Sequence, residues 1–588
     1  MASVYVTQSG AGTEDGSSLE NAIAIGSLTT TEWNLPARSA DGAERVYFYG
    51  NITTLVRPLT GGTDSTDRLW IDTTNAIILV DSTTAISSNQ KSNLVFVLGV
   101  VNSHVTNTEL VLVFRSSNTK ITGGTLTNTD NDASQCIRVL GLAATNSDNI
   151  EIDNVTCINT SITTLIAILF THTSGIGDTS IYTNCSVTNC RITGGKIEIR
   201  WPDYIQSVIT DGRRDNSFTI DNNTINGSPG PAIQVIGLAN TPTSYISNNT
   251  ITNSGLLTNA TNAIQLNNLL GGVVENNTID TVLCDGVGDG NGIIIDFLGT
   301  SGGGIGNYSE NMTVRGNIIK NCNASTTAAG ISLWGGKDIN VYGNICIDNN
   351  NGIAVPDAAS GPVFTLTGIT AGADTVIDYV QNPDNGFEIE AGDEVTFTGT
   401  SGLTPDIDGV HTVKAKNTSN QFTIELSTSG TWNSDGSLSE LHRGFNNKVN
   451  NNLCLNNVTG QIVTRYGGQP FEMKNNILIG GVNGYDHNPS QGSALSSESY
   501  NIFYNHSGDS IDDGGSPVAI DVTSIDASKN PLDENNELIN DVEFIGKGDR
   551  WWTGPNPLGS DRYPFADVAT DIGDKQTHFN PLHPAYKG

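Results

Sequence analysis

One short phrase occurs five times between Asp221 and Val355, and it restricts the chain to a stacked architecture. Asn222-Asn223-Thr224-Ile225 comes back as Asn248-Asn249-Thr250-Ile251 and Asn276-Asn277-Thr278-Ile279, then as Gly316-Asn317-Ile318-Ile319 and Gly343-Asn344-Ile345-Cys346. The second positions are about 26, 28, 40 and 27 residues apart, the period of units that bury their apolar face only against neighbours. Each copy is followed by an alternating run: Ala232-Ile233-Gln234-Val235, Ala263-Ile264-Gln265-Leu266, Gly292-Ile293-Ile294-Ile295, Gly330-Ile331-Ser332-Leu333 and Gly352-Ile353-Ala354-Val355. Two short strands per unit, an Asn-marked turn and no helical period predict an all-β, right-handed parallel β-helix.

The physics of such a coil accounts for the composition. Equivalent positions stack roughly 4.8 Å apart, so an inward Ile or Val meets its counterpart and forms an apolar column. Asn tolerates left-handed backbone, and its amide can bond the same amide one coil on. A chain of 588 residues can then be one long domain with insertions, and 65 Gly with only 15% charged residues suits a turn-rich β body. No apolar run approaches the length of a membrane span, and Met1 to Gly26 lacks the basic start and apolar core of a signal peptide.

A formal charge of −33 excludes nucleic acid as a partner on electrostatic grounds. It also disfavours a polyanionic substrate unless a local basic patch intervenes. The eight cysteines follow turns, where a small buried residue belongs, and none has zinc-ligand spacing, so they read as packed thiols.

Five segments follow from the repeat: 1–45, a cap and first strands; 46–355, the solenoid; 356–440, an insert; 441–540, the solenoid resumed; and 541–588, a C-terminal cap. The repeat returns after the insert at Asn451-Asn452-Leu453-Cys454, Asn475-Asn476-Ile477-Leu478 and Tyr500-Asn501-Ile502-Phe503. Within the insert, Val363–Leu366, Gly392–Phe397, Gly409–Val413 and Gln421–Leu426 read as strands of a small antiparallel barrel. The last segment gathers Trp551, Trp552, Tyr563, Phe565, Phe579 and several prolines, suited to covering an open solenoid end.

If the Ile and Val of each run point inward, the residues between them form an outward ladder. It comprises Glu198 and Arg200, Gln234, Gln265 and Asn267, Asp296, Ser332 and Trp334, Ala354, and Arg465. A long face of amides, carboxylates, Arg and one Trp suits a polysaccharide, whose hydroxyls need donors and acceptors and whose rings need a flat apolar plate. An ordinary solvated wall is polar too, and Trp334 is the residue that separates the two readings. Glycoside hydrolysis needs two carboxyls roughly 5 to 10 Å apart. Glu198 and Asp296 lie about three coils from one another, on the order of 14 Å, so the closer set is Asp285, Asp289 and Asp296, carried by one glycine-rich stretch. Asp285 and Asp289 alternatively shape a turn or hold Ca²⁺; no other cofactor or metal is expected. A lyase would draw its base from Arg200, Lys337, Arg443 or Arg465, with His442, Tyr466 and Tyr485-Asp486-His487 as proton carriers.

The repeat, together with the opening Val4-Tyr5-Val6 and its Glu14-Asp15-Gly16-Ser17-Ser18 loop, resembles β-helix proteins of the pectin-lyase-like superfamily, and most specifically bacteriophage tailspikes. The insert, through Gly392 to Val413 and Asn420 to Leu426, is similar to a small β-domain of phage tail proteins. The resemblance implies a glycan depolymerase on a virion tail or outside the cell, assembled as a homotrimer and contacting virion tail proteins, with polysaccharide as its partner. Departures are solenoid-like sequence almost from the first residue given, where tailspikes usually carry a virion-binding domain, and no complete galacturonidase or pectate-lyase motif. Two further readings stay open: a non-catalytic virion fibre or adhesin that binds glycan intact, and a secreted lyase or epimerase.

Overall fold

A tight corner opens each coil, and its two residues have different duties. The computed structural model describes residues 3–34, 44–103, 108–129, 135–141, 147–159, 166–172, 182–200, 214–255, 262–284, 290–296, 309–334, 336–355, 363–380, 389, 391–392, 394–418, 420–440, 447–464, 471–487, 495–499, 501–513 and 525–526. The first corner residue takes left-handed backbone: Asn222, Asn248, Asn276, Asn451 and Asn475 have φ of 53° to 57°, and Gly316 and Gly343 stand in at 63° and 62°. Gly, and after it Asn, occupy this region at less cost than most residues, which is why this repeat varies between those two letters. The second corner residue is always Asn and is buried. Asn223, Asn249, Asn277, Asn317, Asn344, Asn452, Asn476 and Asn501 form a continuous ladder, each Nδ2 donating to the next Oδ1 at 2.9–3.1 Å.

Around these corners the described strands form a 29-stranded and a 16-stranded parallel sheet. Each regular coil gives two strands to the larger sheet, such as Phe218–Asp221 and Thr224–Asn226, and one to the smaller, such as Ile233–Asn240. The irregular early coils follow the same plan, with Thr119–Thr122 and Thr125–Asn128, then Ile150–Asp153 and Thr156–Asn159. Inward residues of both sheets make one apolar lumen from Val4 to Ile511. All eight cysteines are free thiols, and burial pushes Cys185 and Cys190 up to about 12. No helix among the described residues is long and apolar enough to cross a membrane.

The insert is a closed antiparallel barrel of six strands, Val363–Thr370, Thr375–Val380, Gln421–Ile424, Gly409–Thr418, Glu394–Thr398 and Ser437–Glu440 in spatial order. Its core of Ile377, Tyr379, Val395, Phe397, Phe422 and Leu438 is separate from the lumen. Ile345 pairs with Leu453, and Asn344 bonds Asn452 across a separation of 108 residues, so the barrel leaves no gap in the stack. Replacing 356–446 by a connection the length of Leu333–Ile339, which makes the same passage one coil earlier, is therefore expected to shift the solenoid's melting temperature by no more than a few degrees. Differential scanning calorimetry checks this; collapse of the remaining transition would show that the barrel supports the coils. The segment 541–588 expected as a cap lies outside the described residues.

Candidate functional site

Strand parity builds the site. On the smaller sheet we label β1 (Lys196–Arg200), β2 (Ile233–Asn240), β3 (Ile264–Leu270), β4 (Ile293–Asp296), β5 (Ala329–Ser332), β6 (Asn351–Ala354) and β7 (Gly460–Thr464). Ile197 and Ile199 enter the lumen, as do Ile233 and Val235, Ile264 and Leu266, and Ile293 and Ile295. The residues between them therefore face away from it. One outward column runs Glu198, Gln234, Gln265, Ile294, Ser332, Ala354 and Val463 in register; a second runs Arg200, Ile236, Asn267 and Asp296. Leu333 is in the lumen cluster, which puts half-buried Trp334 on the outward side two residues past Ser332.

The lower end of the first column is an ionic cluster. Glu198 is fully buried, yet its two oxygens meet two cations: Lys196 Nζ lies 2.6 Å from Oε2, and Arg200 Nη2 pairs with Oε1. Lys196 Nζ also donates to Gln234 Oε1 at 2.5 Å, and Gln234 Nε2 donates to Gln265 Oε1 at 3.3 Å. Burial draws the Lys196 ammonium below its usual range, and the Glu198 carboxylate opposes that shift. Removing one member of a buried pair leaves the others uncompensated, so Glu198→Ala is expected to cost about 3–5 kcal/mol. Thermal unfolding measures this, and adding Lys196→Met is expected to recover part of the loss; an unchanged melting temperature for Glu198→Ala excludes the clamp.

Asp296 is half-buried at the end of β4, where its backbone oxygen accepts a bond from Ser309 Oγ at 3.1 Å. Its strand lies three rungs from that of Glu198, roughly 14 Å or more, so these two carboxyls do not meet. Asp285, Asp289 and Arg465 lie outside the described residues, as do His442, Arg443 and Tyr466; Lys337 and His487 are described in their backbone alone. Tyr485, expected among the proton carriers, is inside the lumen, 5.8 Å from the Phe471 ring and 3.1 Å from Thr464 Oγ1. Its odd position on the strand turns it inward and turns Asp486 outward. Among the described residues no three His, Cys, Asp or Glu side chains gather as a metal site.

Two features escaped the sequence reading. Lys196 was visible as the first letter of an alternating +, −, + run, Lys196-Ile197-Glu198-Ile199-Arg200, whose parity puts all three charges on one side. Asp512, the other, stands in register with Asp486 on the adjacent rung of the same outward wall; Asp486 was expected among the proton carriers, and its outward parity was the signal for Asp512.

A family model described as a right-handed β-helix region matches residues 206–366. Among solved structures, the GH136 lacto-N-biosidase from Eubacterium ramulus aligns at 11% identity over 60% of this chain and 62% of its own length, with a TM-score of 0.39. The chain thus spans about three-fifths of that protein. The tailspike protein of E. coli bacteriophage HK620 in complex with a pentasaccharide aligns at 10% identity over 68% of this chain and 81% of its own, with a TM-score of 0.32. No curated protein matches the sequence. Strand pairing and the matched region together identify the architecture: the chain is a right-handed parallel β-helix.

Proposed function

We propose that the outward wall of β1–β5 binds a bacterial surface polysaccharide and that the protein cleaves it by hydrolysis. The observation that carries this reading is the in-register pair of partly exposed amides Gln234 and Gln265, flanked in the next column by partly exposed Arg200 and Asp296, with half-buried Trp334 on the same side. Amides and a guanidinium suit sugar hydroxyls, a Trp suits a ring face, and an elongated row suits a polymer. In the reaction Asp296 acts with Asp285 or Asp289, one carboxyl protonating the leaving oxygen while the other serves as nucleophile or activates water. A lyase fits less well, because the described basic groups of β1, Lys196 and Arg200, are both tied to Glu198.

The test is size-exclusion chromatography of purified capsular and lipopolysaccharide glycans before and after incubation with the protein. Release of oligosaccharides supports hydrolysis. Retention of the polymer at unchanged length supports the second reading, a fibre or adhesin that binds without cutting, which the burial of Glu198 and its distance from Asp296 favour. Failure of every glycan to be retained or shortened rejects both. The sequence resemblance also supports a homotrimer on a virion tail or outside the cell, joined to other tail proteins; light scattering is expected to give about three times the 62.0 kDa chain mass.

A further inference from the structure

The second strand that each coil gives to the larger sheet changes its residues partway along the stack. Thr224-Ile225-Asn226, Thr250-Ile251-Thr252 and Thr278-Ile279-Asp280 set one apolar residue, which enters the lumen, between two polar ones that face out. Ile318-Ile319-Lys320 is intermediate. From there the strands read Ile345-Cys346-Ile347, Leu453-Cys454-Leu455, Ile477-Leu478-Ile479 and Ile502-Phe503-Tyr504, stacked in register. Cys346, Cys454, Leu478 and Phe503 line the lumen, so the residues on either side of them point away from it. A parallel strand that is apolar without interruption is one buried on both faces. Burial agrees: at the first outward position Thr224 and Thr250 are exposed, whereas Ile345 is 3% exposed, Leu453 1%, and Ile477 and Ile502 0%. Stacking between rungs does not close this column, because Thr224 and Thr250 pair in the same register and stay open. A second layer therefore lies over the outer wall from Ile345 onward, and it comes from the same chain, since a single copy closes the wall.

We infer that residues 527–588 supply this layer, folding back along the side of the solenoid over the stripe Ile345, Leu453, Ile477 and Ile502. Ile525 pairs with Ile502, so the chain leaves the larger sheet at the end of that stripe and the residues after Asp526 are delivered to it. From Ile345 to Ile525 is four rung steps, roughly 19 Å, which about six extended residues span at ~3.3 Å each. The segment is many times that long, and it carries Phe544, Ile545, Trp551, Trp552 and Phe565 without the Asn corners that would place them in a coil. The barrel is the poorer occupant: its apolar side chains form a core of their own, and its Val380 and Val410 remain 48% and 50% exposed. The layer lies on the larger sheet, so it leaves the wall of the smaller sheet, where the glycan site is proposed, to its own ligand. It is independent of that role.

The test is photo-cross-linking in the full chain. The photoreactive residue p-benzoylphenylalanine replaces Tyr504 in one variant and Leu455 in another, both half-buried beside the stripe, and exposed Thr250 in a third as the reference. After irradiation the cross-linked peptides are identified by mass spectrometry. From positions 504 and 455 the expected partner is a peptide of 527–588, at a yield at least about fivefold above that to any other segment and at least about fivefold above the yield from position 250. In a denaturing gel these products are expected to run at the mass of one chain. Cross-links chiefly to the barrel, 363–440, overturn the inference, and so do yields to 527–588 no greater than from position 250. Products at twice the chain mass transfer the cover to a second copy and overturn it as well. Positions 504 and 455 are independent, so either variant decides the matter if the other does not fold.

Discussion

Asp296→Asn is expected to lower the rate of polysaccharide cleavage by at least ~10³-fold, while binding of the intact polymer stays within about twofold. Proton transfer by a placed carboxyl contributes on the order of 10²–10⁴ in rate, and loss of a nucleophile costs more. The substitution keeps size and shape, so little of the effect should arise from folding. Asp296 closes β4 with a backbone already paired to Asn267 and bonded to Ser309, and neither contact needs the carboxylate charge. A reducing-end assay gives the rate, and affinity electrophoresis gives binding. Cleavage by Asp296→Asn at the wild-type rate would remove this residue from the chemistry. A product carrying an ultraviolet-absorbing double bond would identify elimination and turn attention to the basic residues instead.

The fold was legible because a solenoid writes its tertiary contacts into a local period. Each coil touches the next, so the spacing of Asn223, Asn249 and Asn277 in sequence is already their register in space. The return of the same phrase at Asn452 revealed the insert for the same reason. Strand parity then separated inside from outside, and Gln234, Gln265, Asn267 and Asp296 are where that alternation put them. What a single strand could not disclose was burial on the outer side. Glu198 points away from the lumen and is nevertheless covered, and so are Ala329, Ala354 and Val463, which form a small apolar cluster of their own. Coverage of an outward residue depends on distant segments that carry no period. The direction of the Lys196–Gln234–Gln265 chain was hidden too, because it arises from which partner each amide finds across coils rather than from residue type.

Within one corner, adjacent residues are expected to differ several-fold in their sensitivity to substitution. Asn344→Leu is expected to destabilise the protein by on the order of 5 kcal/mol, because each buried polar group left without a partner costs about 1–3 kcal/mol. Asn344 Nδ2 donates to the carbonyls of Val314 at 2.9 Å and Tyr342 at 3.1 Å and to Asn452 Oδ1 at 3.0 Å. Its Oδ1 accepts from both the backbone N and the Nδ2 of Asn317, at 3.0 and 2.9 Å. Leucine satisfies none of these, and no water can replace the amide at a site with no solvent exposure. Asn344 also joins the coil before the insert to the coil after it, so the damage falls where the stack is continued by a chain 108 residues away. By contrast Asn222, on the outer side of an equivalent corner, has a left-handed φ of 53° and an exposed side-chain bond, Nδ2 donating to Asn189 Oδ1 at 2.7 Å. Asn222→Gly is expected to change stability by a few tenths of a kcal/mol and Asn222→Ala by about 1–2 kcal/mol. Thermal unfolding and limited proteolysis of the three variants measure the contrast. Equal melting temperatures for Asn344→Leu and Asn222→Gly would mean that the coils are held by their apolar lumen alone and that the amide ladder only follows the stack it was taken to support.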